Sequence, residues 1–548
     1  METERLYQFA PDERPLLPGG PFSPAHPLAR RLAYGAIAVV LGVADTFTNA
    51  LTNVNVPYLA GPLGVYVAQA SLLPAIFVAM NATGNLSLVK ARIQFGIPRV
   101  TNFLLLLYAG LGLLQIPFPG FATAVLVRAA CGLTAACLTT MTIYYLMQVF
   151  PPKARPLALV IGLGLLQLGT PLARLVPVAI LASNGWYGLH LIEPAVVFLV
   201  LALINALPLP PSECSKAFEK LDFVTIGLMV VAMLLVCGVL GVGRVYWWSD
   251  APWLGWMLAA AIPLFAAVVL IESHRTKPML RLDWVVTGDI LRFAAVAALV
   301  RVALAEQTYG SVGLLTLGGL NNDQLHTLFL WVILAMVFGI ITACLTLSQE
   351  RLRLQVMFAA LAIAAGAFMD SGATNVTRPP ELYLSQALIG FGTTMFIGPA
   401  LVFGFLRMMA KGASYFVTFV VLFSITQNVG GLAGSALLGS YQVIQTRAHA
   451  ASLQEHLLAG DPQVAQQIQG GAATVAGALT DPGLRGAEGA ALLGQRLASE
   501  ANVLAFNDVF RLVAFLALAT AAYLLYRIFW IAFCVRRTQA NQAERAAA

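Results

Sequence analysis

The sequence predicts an all-α polytopic membrane protein with about fourteen transmembrane helices. Of its 548 residues, 59% are hydrophobic and only 10% are charged, whereas soluble domains carry about 25% charged residues. Apolar runs long enough to cross a bilayer as helices, which takes roughly 20 residues, recur along the whole chain. Lys and Arg cluster in every second connection between these runs. Composition, run length and charge placement therefore agree on one class of fold.

The predicted spans are apolar runs bounded by charged residues, Pro or Gly. The first six cover residues 32–54, 66–89, 100–117, 121–149, 155–180 and 187–208. Two more follow at 222–243 and 253–272. The last six cover residues 289–317, 325–347, 354–370, 382–408, 413–441 and 503–533. Because the number of spans is even, both chain termini are expected on the same side of the membrane.

Basic residues in the connections indicate which side that is. They precede the first span, follow the last and occupy alternate connections between them: Arg30, Arg31, Lys90, Arg92, Arg99, Lys153, Arg155, Lys216, Lys220, Arg275, Lys277, Arg281, Arg351, Arg353, Arg407, Lys411, Arg536 and Arg537. The positive-inside rule therefore places both termini in the cytoplasm. This pattern also accounts for the net charge of +7 without a nucleic-acid partner.

The two ends of the chain are expected to be cytoplasmic tails. Residues 1–29 are charged and Pro-rich, and they lack the short apolar core and small-residue cleavage site of a signal peptide. Residues 536–548 follow the last apolar run and are polar.

One connection is much longer than the others. Residues 442–502 separate the last two spans, and by the predicted topology they lie on the outer side. The segment has a helical pattern at both ends and a Gly- and Ala-rich middle. Two interpretations stay open: a flexible loop, or a helical hairpin that extends both spans beyond the membrane towards a partner.

The charged residues inside predicted spans that are of most interest are Asp45, Arg128, Glu193, Arg301 and Glu306. A charge at mid-bilayer is costly unless it is paired or hydrated, so these residues predict a solvated central cavity or ion pairs. Arg301 and Glu306 project about 140° apart on one helix, and each must find a partner on another helix or in water. Glu306 is expected either to line the cavity or to pair structurally, and for Glu193 the structural role is favoured.

Several stretches carry a family resemblance. LTNVNVPYLAGPLG, residues 51–64, resembles the first-span signature D-x-T-I-V-N-V-A-L-P of the fourteen-span drug:proton antiporters of the major facilitator superfamily, EmrB/QacA type. FVAMNATGNLSLVKARIQFGIPRV is similar to the second span and following loop of that family and keeps Asn81, Gly96 and Arg99. QNVGGLAGSALLGSYQ and LAFNDVF resemble its thirteenth span and the start of its fourteenth.

The resemblance implies the major facilitator fold, with two six-helix bundles and two inserted helices. The bundles then cover residues 30–208 and 286–535, the second including the long periplasmic loop 442–502. The inserted pair, with its cytoplasmic linkers, covers residues 209–285. The resemblance also implies a bacterial inner-membrane location and a periplasmic membrane-fusion adaptor as a partner.

The chain departs from the family motifs at informative places. The family's first-span Asp falls on Thr48, while Asp45 stands three residues earlier, on roughly the same helix face. VRAACGLTAA resembles the motif R-x-x-Q-G, in which the family ties the arginine to proton coupling; Arg128 is kept and Cys131 replaces the glutamine. The alternative for Arg128 is a side chain that snorkels from near the span end.

Further candidate residues follow from the fifth span and from the polar positions. GTPLARLVP keeps Gly169 and Pro171 of the family's antiporter motif, and both are expected to bend the helix. With Gly96 and Arg99 they are the candidates for helix bending or gating. The candidates for the substrate cavity, which is expected at the midplane between the two bundles, are Thr48, Asn49, Asn53, Gln427 and Asn428.

No enzyme motif is found, so we expect a transporter that has no catalytic residues, metal site or cofactor. The hypothesis is export of small amphiphilic or toxic compounds, driven by the proton-motive force through alternating access. Asp45 and Glu306 would carry protons, and Arg128 and Arg301 would tune them. The partners are then substrate, protons and the lipid bilayer. Two alternatives stay open: an uncoupled or uptake carrier of the same fold, and a non-transporting membrane scaffold.

Overall fold

The computed structural model describes residues 13, 15, 19–457 and 460–547. These residues form α-helices and short 3-10 turns, and they include no β-strand. Thirteen of the helical segments found there are long and apolar enough to cross a membrane. The predicted all-α polytopic class is therefore confirmed.

The described residues up to position 206 form ten α-helices. They are α1 Leu28–Asn53, α2 Val56–Leu59, α3 Val67–Ala70, α4 Leu72–Phe95, α5 Ile97–Leu114, α6 Phe121–Met147, α7 Arg155–Gln167, α8 Gly169–Ala173, α9 Val178–Leu181 and α10 Ser183–Ala206. Helix α1 packs against α6, α7, α8 and α10, while α4 and α5 also pack on α6. The turn from α4 to α5 passes through Gly96, whose φ of 83° suits a residue without a Cβ atom.

The predicted fifth span is divided at Leu168 into α7 and α8. Pro171 has no N–H group, so it cannot donate a helical hydrogen bond to the residue four positions earlier. At the same place the Thr46 hydroxyl of α1 donates to the Leu166 carbonyl oxygen at 2.5 Å. A Cβ atom on Gly169 would lie 2.5 Å from the Phe47 nitrogen. The helix is thus interrupted where α1 approaches its backbone closely.

Two helices follow, α11 Lys220–Tyr246 and α12 Pro252–Ser273. Helix α11 packs against α4, and α12 packs mainly on α11. Most of α12 is exposed, and its residues are strongly apolar. Both features suit a helix that faces lipid.

A cluster of charges joins this helix pair to α4. The Lys90 ammonium lies 2.6 Å from the Asp222 carboxylate. The Arg275 guanidinium contacts Asp222 and Glu219 at 2.8 Å and Glu272 at 3.0 Å. Burial alone would lower the pKa of Arg275, but hydrogen bonds to these three carboxylates outweigh it and raise that pKa above its ordinary value. Arg275 therefore stays charged at physiological pH.

From residue 282 onwards, the residues that the structure describes form nine α-helices. They are α13 Leu282–Val285, α14 Gly288–Leu304, α15 Glu306–Leu317, α16 His326–Leu345, α17 Leu352–Asp370, α18 Tyr383–Lys411, α19 Phe416–Glu455, α20 Pro462–Thr474 and α21 Pro482–Ala547. The predicted ninth span, residues 289–317, is present as α14 and α15 with a break at Ala305. Neither helix reaches the length of a full span alone.

The segment between the last two predicted spans is largely helical. Helix α19 has 40 residues and α21 has 66, and both extend well beyond the apolar runs 413–441 and 503–533. Polar contacts join the extensions: Gln442 and Thr446 bind Asn502, at 2.7 and 3.1 Å, and His449 lies 2.7 Å from Asp508. Helix α20 packs back on α21. The helical interpretation of residues 442–502 agrees with this arrangement.

The bundle has two parts, one formed by α1–α10 and the other by α13–α21. They meet along a few helices. Helix α7 packs against α16 and α18, and α4 packs against α19. The Asn428 amide donates to the Asn81 side-chain oxygen across the α4–α19 contact at 3.1 Å. Glycines allow close approach: a Cβ atom on Gly398 would lie 2.9 Å from the Cα atom of Val160. Between these contact lines lies a cavity.

Candidate substrate cavity

The cavity between the two parts of the bundle has a volume of about 830 Å³. This size is within the range of small-molecule sites in proteins. Its polar lining comes from both parts and from α11, and it includes Asp45, Asn49, Asn53, Asn81, Asn85, Thr139, Gln167, Arg174, Arg244, Arg301, Gln307, Tyr309, Asn322, Gln427 and Asn428. The remaining wall is mainly apolar.

The two ends of the cavity differ in exposure. Several lining residues on the face where α1 ends are exposed, including Asn53 and Tyr58, and the exposed fraction of Tyr58 is 46%, although Val56 and Asn322 there are buried. Lining residues on the face where α1 begins, such as Leu159, Phe405 and Phe416, are buried. The cavity is therefore reached from the face where α1 ends and is closed at the other face. By the predicted topology, the accessible face is the outer one.

Asp45 faces the cavity from α1. Asp45, Asn49 and Asn53 are spaced four residues apart, which places them on one helix face, and all three line the cavity. Asp45 is only 2% exposed, and its carboxylate accepts a hydrogen bond of 2.6 Å from the Thr139 hydroxyl. Within the described part of the chain it forms no ion pair. A buried carboxyl group without a cationic partner is the kind of group that binds and releases a proton.

Thr48 points away from the cavity. Its hydroxyl donates to the Ala44 carbonyl oxygen at 3.2 Å and lies 3.9 Å from the Cys131 sulfur on α6. The sequence placed Asp45 and Thr48 on roughly the same face. The structure separates them, because the 60° between positions three residues apart is enough to turn one towards the cavity and the other towards α6.

Arg128 and Glu193 form a buried ion pair outside the cavity lining. Glu193 also accepts hydrogen bonds from the hydroxyl groups of Thr52, at 2.8 Å, and Tyr108, at 3.5 Å. The pair thus ties α6 and α10 to α1 and α5. From the sequence we favoured a structural role for Glu193, but spacing along the chain gave no sign that Arg128 was its partner.

Arg301 and Glu306 lie in different surroundings. The Arg301 side chain lines the cavity, and its Nε atom donates to the Gln427 carbonyl oxygen at 3.0 Å. Glu306 is fully buried and is not part of the cavity lining. The Gln386 amide donates to Glu306 at 3.2 Å and to Asp370 at 2.7 Å. Asp370 was missed, although its position at the end of an apolar run was a signal for it.

The four candidates for helix bending or gating occupy two places. Pro171 lines the cavity, and Gly169 lies directly against α1. Gly96 and Arg99 lie at the α4–α5 turn, away from the cavity, and Arg99 is exposed. This turn is held by Gln94, whose side-chain oxygen accepts from the Ala217 and Phe218 nitrogens.

Two cavity arginines were not among the sequence candidates. The Arg174 guanidinium donates to the Asn322 side chain at 2.6 Å and so joins α8 to the turn before α16. The Arg244 guanidinium of α11 donates to the Tyr309 hydroxyl at 2.6 Å. Arg244 stands near a span end, where an arginine usually reaches the membrane surface. Its sequence position alone therefore did not indicate a cavity residue.

No group of three or more His, Cys, Asp or Glu side chains suited to a metal ion occurs in the described residues. The polar groups of the cavity are instead amides, hydroxyls, one carboxyl group and three guanidinium groups. These groups bind organic molecules through hydrogen bonds and charge.

Comparison with known proteins shows which proteins the chain is similar to. A sequence profile described as Major Facilitator Superfamily matches residues 38–435. The solved structure of a bacterial homologue of the human drug peptide transporters PepT1 and PepT2 matches with a TM-score of 0.53 and 12% identity, covering 93% of this chain and 99% of that one. The human organic anion transporter MFSD10 (TETRAN) matches with a TM-score of 0.50 and 12% identity, covering 90% and 100%. No curated protein matches the sequence.

Proposed function

The chain belongs to the Major Facilitator Superfamily, and from this premise we propose that it exports small amphiphilic or toxic compounds in exchange for protons. Matched proteins of this fold are transporters, and no observation favours an enzyme. The proposed location is the bacterial inner membrane, with both termini in the cytoplasm. Transport would proceed by alternating access, in which the two bundles move about the central cavity.

The observation that carries the proposal is the position of Asp45. This carboxyl group lines the cavity, is shielded from bulk water and has Thr139 as its hydrogen-bond donor. When the cavity faces outward, Asp45 takes up a proton and becomes neutral. When the cavity faces inward, the proton leaves and substrate enters. A gradient of protons can drive export through such a group because the charge of the cavity differs between the two steps.

The other charged groups would support this cycle. Through Glu193 and Thr52, Arg128 is linked to α1, the helix that carries Asp45, so it would tune coupling by holding that helix in place. Glu306, with Asp370 and Gln386, is a second candidate for a proton-binding group. The break between α7 and α8 offers a place where the fifth span can bend.

We also propose that the protein belongs to the fourteen-span antiporters of the EmrB/QacA type. Among the described residues there are thirteen apolar spanning segments and the broken pair α14–α15, which together account for fourteen. A periplasmic membrane-fusion adaptor is the proposed partner. It is supported by the helical extension of α19, α20 and α21, which continues past the apolar runs.

The test uses Asp45→Asn. A survey of toxin sensitivities in a strain lacking the protein first identifies a transported compound, and efflux is then measured in everted membrane vesicles under an imposed pH gradient. We expect Asp45→Asn to abolish gradient-driven transport and Asp45→Glu to retain part of it. Asp289→Asn is the matched control, because Asp289 lies on an exposed surface pair with Arg292 and Arg407.

Each other outcome identifies an alternative. Unimpaired transport by Asp45→Asn would remove the role assigned to Asp45. Transport that is insensitive to protonophores in the native protein would indicate an uncoupled carrier. A native protein that binds and transports none of the surveyed compounds would indicate a scaffold.

A further inference from the structure

We propose that Arg301 and Gln427 form the binding site for a carboxylate head group, so that the substrates are organic anions with an apolar body. This inference rests on the proposed transport function and names its substrate class. Both side chains lie in the cavity wall, on the neighbouring helices α14 and α19.

The Arg301 guanidinium group has N–H donors that are available to a ligand. Its Nε atom donates to the Gln427 carbonyl oxygen at 3.0 Å, and within the described residues no carboxylate forms an ion pair with it. The two Nη groups are thus left for a ligand. A planar guanidinium matches a carboxylate with two parallel hydrogen bonds, which makes arginine the preferred partner for this group.

Two glycines keep this guanidinium uncovered. A Cβ atom on Gly431 would lie 3.2 Å from the Arg301 Nε atom and 3.5 Å from its Nη2 atom. A Cβ atom on Gly430 would lie 3.4 Å from the Arg301 Cγ atom. Because Gly430 and Gly431 have no side chains, Arg301 can lie close against α19 while it lines the cavity.

Gln427 supplies the second, independent observation. Its side chain is only 8% exposed, and neither its Nε2 nor its Oε1 atom has a hydrogen-bond partner among the described residues. Leaving a buried amide unpaired is costly, so a missing partner at a cavity wall indicates a ligand. The neighbouring Asn428 is different, since its amide donates to Asn81 and Ser424.

The charge of the cavity favours an anion. Among the described lining residues, the three guanidinium groups outnumber the single carboxyl group, Asp45. Among these described residues, the guanidinium groups of Arg174 and Arg244 donate to the side chains of Asn322 and Tyr309, whereas that of Arg301 donates to a backbone carbonyl oxygen. A bound carboxylate would neutralise Arg301. The Asp45 proton would then be exchanged through the conformational cycle and not by direct competition for one site.

The wall next to this site suits an apolar body. Phe416, Phe419 and Phe423 precede Gln427 on α19 and line the same cavity. Phe419 and Phe423 lie with their ring centres 6.1 Å apart. Aromatic walls provide large contact areas for the apolar part of a ligand. The site therefore combines one cationic group, the Arg301 guanidinium, with a wall of aromatic side chains.

The test measures ligand binding to the purified full-length protein in detergent, through the shift of its unfolding temperature with ligand concentration. The probes are benzoate, 2-naphthoate and 1-pyrenebutyrate, each compared with its primary amide and its primary amine. We expect at least one carboxylate to bind about tenfold more tightly than its amide, as a charge-assisted bidentate contact provides. Arg301→Gln should remove this preference, and Arg301→Lys should keep part of it.

Gln427→Leu should weaken carboxylate binding about tenfold, the lower end of the loss typical of one hydrogen bond to a charged group. The matched control is Arg292→Gln, on the same helix α14, where the side chain is 56% exposed and faces Asp289. This control should bind like the native protein.

The inference is overturned if no carboxylate binds the native protein, or if Arg301→Gln keeps the preference for carboxylates over amides. Either result leaves the exporter proposal intact when amides or amines are transported in an Asp45-dependent way. Conversely, a preserved carboxylate preference in a protein that transports nothing in proteoliposomes refutes the exporter and keeps the anion site.

Discussion

At the scale of single residues, the buried charges of this protein divide into paired and unpaired groups. Arg128 and Glu193 neutralise each other within the packed helices α6 and α10. Asp45 and Arg301 instead face the cavity without a charged partner in the described part of the chain. Paired charges hold helices together, whereas unpaired charges in a cavity are available to protons and ligands. This distinction separates structural residues from the candidate transport residues.

The Arg128–Glu193 pair gives a prediction for stability. Glu193→Gln leaves a buried guanidinium uncompensated, and we expect it to lower the free energy of unfolding by about 3–5 kcal/mol. The double variant Arg128→Met, Glu193→Leu should lose less than the sum of the single variants, because it removes both charges. Thermal unfolding in detergent measures both. The control is Asp289→Asn, in an exposed pair, which should change the free energy of unfolding by about 1 kcal/mol at most. A Glu193→Gln variant that is as stable as this control would contradict the structural role of the Arg128–Glu193 pair.

At the scale of helices, two interruptions shape the cavity. The fifth span divides at Leu168 and the ninth at Ala305, next to cavity residues in both cases. Gly169 and Pro171 in the sequence indicated the first break. The second break was not predicted, since LVRVALAEQTYG contains neither Gly nor Pro before its end. It depends on packing against neighbouring helices, which a pattern of apolar residues does not show.

Gly169 provides the prediction at this scale. In Gly169→Ala the new Cβ atom would lie 2.5 Å from the Phe47 nitrogen, so α1 has to move. We expect a loss of about 1–3 kcal/mol in stability and a lower transport rate, because Asp45 is on the same helix. The control is Gly110→Ala on α5, where nothing lies within 4 Å of the new atom, so stability should be unchanged or slightly raised. Equal behaviour of the two variants would show that the close approach of α1 and α8 is unimportant.

At the scale of the whole molecule, one cavity joins both parts of the bundle and one helical extension leaves it. The extension is held by polar contacts between α19 and α21, such as Gln442 with Asn502 and His449 with Asp508. These contacts lie outside residues 460–490, which contain α20 and the first part of α21. The outer part of the extension is thus separable from the bundle in terms of packing.

Replacing residues 460–490 by a short Gly- and Ser-rich linker tests the adaptor proposal. We expect the variant to fold and to transport in proteoliposomes as the native protein does, because the cavity and the α19–α21 contacts are retained. In cells it should lose resistance to the transported compound, since an adaptor could no longer dock. Full resistance in cells would argue against an adaptor at this segment. Loss of transport in proteoliposomes would show that the segment serves the bundle itself.

The sequence by itself determined the membrane environment, the order of the spans and the helical class, because bilayer thickness and the cost of buried charge act on each segment separately. It predicts fourteen spans, and the described residues contain thirteen apolar spanning helices and the broken pair α14–α15. It also singled out Asp45, Asn49 and Asn53, whose spacing on one helix places them on a common face. What only the tertiary structure decided was pairing: Glu193 with Arg128, Asp370 with Glu306 through Gln386, and Arg301 beside the Gln427 side chain, which has no hydrogen-bond partner among the described residues. These contacts join helices far apart in the chain, and their distances are set by how the helices pack, which no local pattern contains.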